Sequence, residues 1–252
     1  MSGASSRRIG QAQALGPLPG TPQLGTRVYH AVVEIIVSGG MECGSPLRPD
    51  AIARQLEVST TPVREALHRL EGDGLAVKVP NRGWFVREFT RDQIRELYEM
   101  RAALECFGVR LACQRITAEE LAALGDLQKI GEAALAAGDM DRYRIYNRDL
   151  HAAIMRAARH TCLTTVMGQL RLQSEMLMAE TIRISGRPVR AIDEHQHLIE
   201  AISQRDAAAA AALLEAHILS AVEDIVRWGR HPSEPSVLRK NSYSAVSGPE
   251  PV

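Results

Sequence analysis

The sequence predicts a mainly α-helical protein with an N-terminal winged helix-turn-helix, over residues 23–88, and a C-terminal all-helical antiparallel bundle, over residues 90–229. Three observations predict this fold. Aromatic residues make up only 4% of the chain, which favours helix bundles over β-sandwiches. A capped helix with two β-like runs behind it stands in the first third of the chain. From Thr90 onward, apolar residues recur at helical spacing almost without interruption.

The N-terminal domain is expected to begin with two helices. Residues 1–22 are rich in Gly, Ala, Ser and Pro, and we predict that they are disordered. Residues 24–37 carry their apolar side chains on one face and predict the first helix. A second, short helix is predicted over residues 49–55, with Glu57 at the corner behind it and residues 41–48 as a connection in front of it.

The segment from Val58 to Leu70 predicts the helix around which this domain is organised. Pro62 suits the first turn of a helix, and apolar residues recur behind it at three- to four-residue spacing. Three hydroxylated residues that favour helix N-termini begin the segment: Ser59, Thr60 and Thr61. The other face carries Arg64, His68 and Arg69. Hydroxyls, free backbone N–H groups and basic side chains suit phosphate oxygens and base edges, so this face is a candidate DNA contact.

Two β-like runs, residues 75–79 and 84–88, follow the segment, and Pro80-Asn81-Arg82-Gly83 between them predicts a turn. Helix, turn, helix and hairpin together form the plan of a winged helix-turn-helix. The pattern alone leaves open a small α+β domain with a capped helix and no DNA.

Charge and cysteine usage limit the function classes. The chain has 30 basic and 30 acidic residues, and residues 21–90 also balance, with eight of each. A protein that bound nucleic acid by charge alone would be basic, so a few placed contacts must carry any DNA binding. The four cysteines show no close-paired spacing, which indicates reduced thiols. No apolar stretch approaches about 18 residues. We therefore expect a soluble, cytoplasmic protein that does not enter a membrane.

The second domain is predicted to contain six or seven helices. Thr90 with Gln93, and Thr117 with Glu120, have the spacing of a capping box and predict two helix starts. Further helices are predicted over residues 140–159, 161–184, 189–203 and 206–228. Residues 230–252 turn to Ser, Pro and Gly and predict a disordered tail.

Arg101 falls on the apolar stripe of the first bundle helix, with Glu105 one turn further on. One interpretation is an ion pair that locks two helices together. The other is that Arg101 faces a cavity and holds a carboxylate, because its planar guanidinium suits bidentate anions.

Four polar residues occupy inward seams of three predicted helices, where apolar residues belong: Asn147, His151, His195 and His217. Asn147 and His151 are one turn apart, so their side chains point to one place. Imidazole nitrogens bind divalent transition metals, and an amide oxygen can complete one side, so the set predicts a site for zinc, nickel or manganese. Each histidine taken alone would more often be a hydrogen-bonded core residue. No Asp or Glu shares these seams as an evident general base.

These residues resemble the GntR family of bacterial transcription regulators, in the branch whose C-terminal part is the helical FCD ligand-binding domain. The resemblance covers about residues 23–228. In the N-terminal domain it rests on Val58-Ser59, Thr61-Pro62-Val63-Arg64-Glu65-Ala66-Leu67, Leu70-Glu71, Gly74-Leu75 and Arg82-Gly83. In the bundle it rests on Arg101 with Glu105, Asn147 with His151, Glu194-His195, and His217.

The resemblance implies a homodimer that binds a short palindromic operator of double-stranded DNA. Its recognition helix would enter the major groove and its wing would lie near the minor groove. A small organic acid bound in the bundle would shift the dimer between geometries that do and do not fit DNA. We expect the DNA contacts at Ser59, Thr60, Thr61, Arg64, Arg69, Arg82 and Gly83.

Two departures from the family pattern are visible. Metal-binding members have an Asp, a His four residues later and two further His, and Asn147 stands at the Asp position. The site is therefore expected either to bind metal more weakly or to bind its effector without metal. A metal held by neutral ligands keeps more positive charge, which favours an anionic effector. Thr60 and Asp50 stand where the family often has Arg, which implies an operator unlike the commonest one.

The sequence is therefore interpreted as a ligand-responsive transcription regulator, a repressor rather than an enzyme, in which Arg101 and a divalent metal bind a small carboxylate. A metal-dependent hydrolase is an alternative, because an open histidine site can activate water. A dimerising regulator without an effector, whose histidines are structural, is another.

Overall fold

The computed structural model describes residues 23–228, and the disorder predicted for residues 1–22 and 230–252 lies outside the described residues. The mainly α-helical fold class is confirmed. The elements of this part of the chain are α1 (Gln23–Val37), β1 (Pro46–Leu47), α2 (Pro49–Gln55), α3 (Thr60–Gly72), β2 (Ala76–Val79), β3 (Gly83–Val86), α4 (Arg91–Arg115), α5 (Ala118–Ala136), α6 (Met140–Ala157), α7 (Thr161–Thr181), α8 (Arg187–Ser203) and α9 (Ala207–Trp228).

Helix α3 is the central element of the N-terminal domain. It buries Val63, Leu67 and Leu70 completely against α1, α2 and β2, so its opposite face is left to solvent. The corner before it is made by Glu57, whose φ of 53° is left-handed. Ser59 takes the N-cap position in an extended conformation, but its side chain makes no capping hydrogen bond within the described residues. The first-turn N–H groups of α3 are therefore not used by that hydroxyl.

Behind α3, a three-stranded antiparallel sheet of order β1-β3-β2 forms the wing. Strand β1 was not predicted, because two residues are too few to show an alternating pattern. The turn between β2 and β3 contains Asn81, with a φ of 62°, and β3 begins at Gly83, with a φ of 94°. The left-handed conformation at Gly83 favours glycine, since it lacks a Cβ.

In the C-terminal domain, α4 packs most extensively against α9 and also contacts α6, α7 and α8. Both predicted capping boxes are present: the side chains of Thr90 and Thr117 accept hydrogen bonds from the third residue of α4 and α5. Helix α7 ends three residues earlier than predicted, and α8 begins two residues earlier, because Pro188 is accepted in the first turn. Along residues 91–228 there are six helices, the lower predicted number.

The two domains are joined by polar contacts. Arg144 of α6 pairs with Glu34 of α1 at 2.9 Å, and Arg183 donates to the backbone oxygen of Gly39 at 3.2 Å. Within residues 23–228, no helix combines the length and apolar character that crossing a bilayer requires.

Candidate metal centre

Three of the predicted ligand residues meet in the middle of the bundle. His151 comes from α6, His195 from α8 and His217 from α9, and all three are buried. One ring nitrogen from each lies within 4.8 Å of the other two. The Nε2 atoms of His195 and His217 are 3.3 Å apart. The helical packing therefore brings three imidazole rings from three helices to one point.

Two of these rings are oriented by carboxylates. Glu105 of α4 lies 2.6 Å from Nδ1 of His151, and Glu194 of α8 lies 2.6 Å from Nδ1 of His217. A carboxylate accepts hydrogen bonds, so each Nδ1 carries the proton of a neutral ring and donates it. In both rings the lone pair is then on Nε2, which faces the centre.

The tautomer of His195 follows from its hydrogen-bond chain. The amide nitrogen of Gln128 donates to the backbone oxygen of Ile192 and to Glu132, which leaves the Gln128 oxygen facing Tyr146. The Tyr146 hydroxyl must donate its hydrogen to that oxygen, at 2.6 Å, so it accepts from Nδ1 of His195, at 2.9 Å. His195 therefore also carries its proton on Nδ1, and its Nε2 lone pair also faces the centre.

Three lone pairs that converge in a buried site repel one another, and a bound cation would remove that repulsion. Nε2 of His151 is buried and has no hydrogen-bond partner among residues 23–228, and an unpaired buried nitrogen is costly. Two nitrogens bound to a tetrahedral zinc at about 2.0–2.1 Å lie roughly 3.3 Å apart, close to the observed spacing of His195 and His217. The donor set and its outer carboxylates match the arrangement in which a second group orients a metal-binding histidine. The residues present therefore fit a divalent transition metal.

Protonation states agree with this arrangement. Burial, together with the positive groups around the cluster, lowers the pKa of His195 and of His217 well below 6.5, so both rings are neutral at pH 7. Burial alone would raise the pKa of Glu105, but the charge of Arg101 and the hydrogen bonds that Arg101 and His151 donate hold it well below its ordinary value. Glu105 is therefore an ionised acceptor.

Asn147, the fourth predicted ligand, is buried one turn before His151 on α6. Its amide nitrogen contacts the sulfur of Met178 at 2.6 Å. It also lines a cavity next to His217, with a volume of about 30 Å³, and a larger chamber next to His151. Asn147 thus lines both cavities, each of which also borders one of the histidines, and its role as a ligand stays a prediction.

Arg101 makes an ion pair, but within one helix. Its Nε donates to Glu105 at 2.5 Å, one turn further along α4, and the guanidinium reaches to within 3.5 Å of Nδ1 of His151. The pair therefore does not lock two helices by itself, and it acts on α6 through His151. Arg101 also lines both cavities, so the second interpretation, in which it faces a ligand, agrees with its position.

The larger chamber has a volume of about 350 Å³ and lies between α4, α6 and α7. Its inner end is polar and is formed by Arg101, Glu105, Asn147 and His151. This volume is within the range of ligand pockets. A ligand in the chamber would therefore contact the histidine cluster directly.

Several residues of this site were not predicted. Two acidic residues reach the histidines from outside the predicted seams, because Glu105 contacts His151 and Glu194 contacts His217. Periodicity within one helix cannot show this, since Glu105 reaches His151 from another helix. Tyr146 and Gln128 were also missed. The one local signal is Gly131, where a Cβ would overlap the Tyr146 ring.

The predicted DNA-contact residues lie on the outer face of α3 and on the wing. Ser59, Thr61 and Arg64 are exposed, whereas Thr60 is partly buried. Arg69 is exposed but its guanidinium stacks 4.0 Å above the Tyr29 ring of α1. In the wing, the Arg82 guanidinium lies 5.3 Å from the Phe85 ring, beside Gly83.

Family models match both domains. One described as "Bacterial regulatory proteins, gntR family" matches residues 24–86, and one described as "FCD domain" matches residues 96–220. Both matches agree with the division into the N-terminal winged helix-turn-helix domain, or winged head, and the C-terminal helical bundle.

Named relatives extend over most of the chain. The "Nta operon transcriptional regulator" of Aminobacter aminovorans is 30% identical over 185 residues, which cover 73% of this chain and 85% of that protein. The "Gluconate operon transcriptional repressor" of Bacillus subtilis (strain 168) is 31% identical over 192 residues, or 73% of this chain and 77% of that protein.

Solved structures share the fold. "E. coli McbR/YncC" superposes with a TM-score of 0.72 at 24% identity, over 82% of this chain and 98% of that one. A putative GntR regulator from Rhodococcus sp. RHA1 superposes with a TM-score of 0.70, also at 24% identity, over 82% of this chain and 99% of that one. At this identity the likeness supports the architecture alone.

Proposed function

The chain belongs to the GntR family of bacterial regulatory proteins and carries an FCD domain behind its winged head, and on that basis we propose a ligand-responsive repressor of transcription. DNA binding and transcription regulation follow from the family. The proposal adds a homodimer in the cytoplasm, a palindromic operator, and a bundle that binds a small organic acid beside a divalent metal ion.

The single observation that supports metal binding is the convergence of three Nε2 lone pairs, one of which is buried and has no hydrogen-bond partner in the part of the chain that the structure describes. We propose that His151, His195 and His217 bind zinc, nickel or manganese, with Asn147 as a fourth ligand through its amide oxygen. Such an ion supplies a Lewis-acidic positive charge with positions left open for an effector.

The charge balance supports an acidic effector. The histidines are neutral donors, Asn147 carries no charge, and the Arg101–Glu105 ion pair cancels within itself. The charge of a divalent ion would therefore stay uncompensated by its ligands, which favours an anion in the adjoining chamber. Arg101 lines that chamber, and its remaining donors suit a carboxylate.

For the DNA half, we propose that α3 enters the major groove. Its first turn offers the N–H groups and hydroxyls that bind phosphate, and Arg64 projects from its exposed face. The wing residues Arg82 and Gly83 would approach the neighbouring minor groove. In a homodimer, two copies of α3 would read the two halves of a palindromic operator.

Metal analysis of the full chain, purified without a His tag or chelator, tests the proposed metal site. We expect near-stoichiometric zinc, nickel or manganese in the wild type and much less in His195→Ala. His197→Ala is the matched control, because His197 is exposed on the same helix and pairs with Asp193 outside the cluster. Equal metal in the wild type and His195→Ala, or none in either, would overturn the site.

The metal-dependent hydrolase has less support. Glu105 and Glu194 accept hydrogen bonds from His151 and His217 and pair with Arg101 and Arg187, so both carboxylates are already engaged. Turnover of carboxylic esters or amides by the wild type, lost in His195→Ala, would favour it instead.

A further inference from the structure

The chamber next to the histidines has a wall of distinct chemistry. Beyond its polar inner end, the wall is formed by Ala152, Met155, Met167 and Met178, with Gly168 among them. Methionine is unbranched and polarisable, so it packs against apolar groups of varied shape, aromatic rings included. The body of a ligand whose head reaches His151 would therefore lie against thioether and methyl groups.

The hydroxyl groups on this wall are already used as donors. The Thr164 hydroxyl donates to the backbone oxygen of His160 at 3.3 Å, and the Ser174 hydroxyl donates to that of Leu170 at 2.9 Å. A ligand that carried many hydroxyls would bury them against methionine side chains, where few groups can pair with them. The middle of the chamber is thus unsuited to a sugar acid.

Charged groups return at the outer end of the chamber. Arg148 and Arg171 line it, each in an ion pair with a neighbouring acid, Asp149 and Glu175 respectively. Arg156 is exposed at the same end. These three arginines attract an acid from solvent toward this end of the chamber.

We propose that the effector is a carboxylic acid with an apolar aliphatic or aromatic body. Its carboxylate lies at the inner end, beside His151 and Arg101, and its body lies along Met155, Met167 and Met178. The inference rests on the proposed function, since the inner end must bind a carboxylate, and it adds the class of acid. It also separates this chain's effector from hydroxylated acids.

A matched series of acids tests the class. Acetate, hexanoate and gluconate are titrated by calorimetry into the zinc-loaded full chain; gluconate has the carbon skeleton of hexanoate with a hydroxyl on each remaining carbon. Each buried methylene raises affinity about fourfold, so hexanoate should bind at least about tenfold more tightly than acetate. Gluconate should bind at least about tenfold more weakly than hexanoate. The heat-capacity change should be more negative for hexanoate than for acetate.

A pair of variants places the apolar body in the chamber. Met167→Gln keeps the length of the side chain and makes the wall polar, so we expect about fivefold to tenfold weaker hexanoate binding and unchanged acetate binding. Met167→Leu keeps the wall apolar and should stay within about threefold of the wild type for both acids. The acetate titration also reports whether each variant is folded.

The outcomes distinguish a failure of this inference from a failure of the proposed function on which it rests. Gluconate binding as tightly as hexanoate, or hexanoate no more tightly than acetate, overturns the apolar class and leaves carboxylate binding intact. Absence of binding for all three acids, or equal binding to His195→Ala, overturns the effector half of the proposed function, and the inference fails with it.

Discussion

Gln173 of α7 donates a hydrogen bond from its side-chain amide to the backbone oxygen of Asp73, the residue that caps the end of α3, at 3.3 Å. The carboxylate of Asp73 accepts a second hydrogen bond, from the Tyr29 hydroxyl of α1. Ser174 and Met178 of the same α7 line the ligand chamber. One helix therefore contacts both the chamber and the end of α3, the helix proposed to enter the major groove.

Gln173→Ala should weaken the coupling between the chamber and DNA. An acid that displaces α7 changes the support of α3, and removing the hydrogen bond should reduce the effector-induced change in DNA affinity several-fold, within the usual range of allosteric coupling. The measurement is fluorescence anisotropy of DNA flanking the gene, with and without zinc and hexanoate. Gln169→Ala, at an exposed position of the same helix, should behave as the wild type. Full coupling in Gln173→Ala would rule out this hydrogen bond as the route.

Glu105→Gln should lower metal affinity about 10- to 100-fold, the usual effect of losing a group that orients a ligand. An amide can present its nitrogen to His151, so the ring loses its fixed tautomer, and Arg101 loses its charge partner. Competition with a chelator measures the affinity. Glu99→Gln, on the exposed face of α4, is the control, and a Glu105→Gln protein that holds zinc as tightly as the control would refute the orienting role.

Tyr146→Phe tests the tautomer assigned to His195. The variant leaves the Gln128 oxygen and Nδ1 of His195 without their partner, so we expect a loss of about 1–3 kcal/mol in unfolding free energy and about tenfold in zinc affinity. Tyr143→Phe is the matched control, because the Tyr143 hydroxyl makes only a 3.4 Å hydrogen bond to Pro188. Equal zinc affinity in both variants would contradict the assignment.

The sequence predicted those parts of the site that periodicity determines. Capping boxes at Thr90 and Thr117 are local chemistry, so the starts of α4 and α5 were readable from a few residues. The apolar seams of α6, α8 and α9 predicted which face of each helix points inward. They therefore also predicted which histidines could come together inside the bundle. The turn between β2 and β3 predicted the wing, although β1 was too short to show the alternating pattern of a strand.

The groups that hold the histidines could not be predicted, because they reach them from elsewhere in the chain. Glu105 is 46 positions from His151 and Tyr146 is 49 positions from His195, and helix packing alone brings each pair into contact. The wall of the chamber is similar: Met155 and Met167 lie on different helices, and only the packing of α6 against α7 leaves space between them.

Gly131→Ala should destabilise the bundle, because the new Cβ would overlap the ring of Tyr146, which is itself fixed by two hydrogen bonds. We expect a loss of about 1–3 kcal/mol. Gly125→Ala, on the same helix, meets nothing within 4 Å and should instead be neutral or stabilise by up to about 1 kcal/mol. Thermal unfolding distinguishes them, at about 2–4 °C per kcal/mol for a chain of this size. A melting temperature of Gly131→Ala at or above that of Gly125→Ala would contradict the packing argument.

Arg64 and Arg69 should differ in what they contribute, although both are exposed on α3. Arg64→Ala should weaken operator binding by about 10- to 100-fold, since a guanidinium that contacts a base is worth about 1–3 kcal/mol. Arg69 is stacked on Tyr29, so Arg69→Ala should lower the stability of the head by about 0.5–1 kcal/mol and weaken DNA binding less than Arg64→Ala does.

Anisotropy titrations at several salt concentrations measure the loss of DNA binding, and melting curves for each variant measure the loss of stability. Arg95→Ala in α4 is the control outside the head. Because the head has no net charge, each lost contact is a large share of the DNA affinity. A larger loss of DNA binding in Arg69→Ala than in Arg64→Ala would mean that the stacked guanidinium, held in place by Tyr29, is the one that meets DNA.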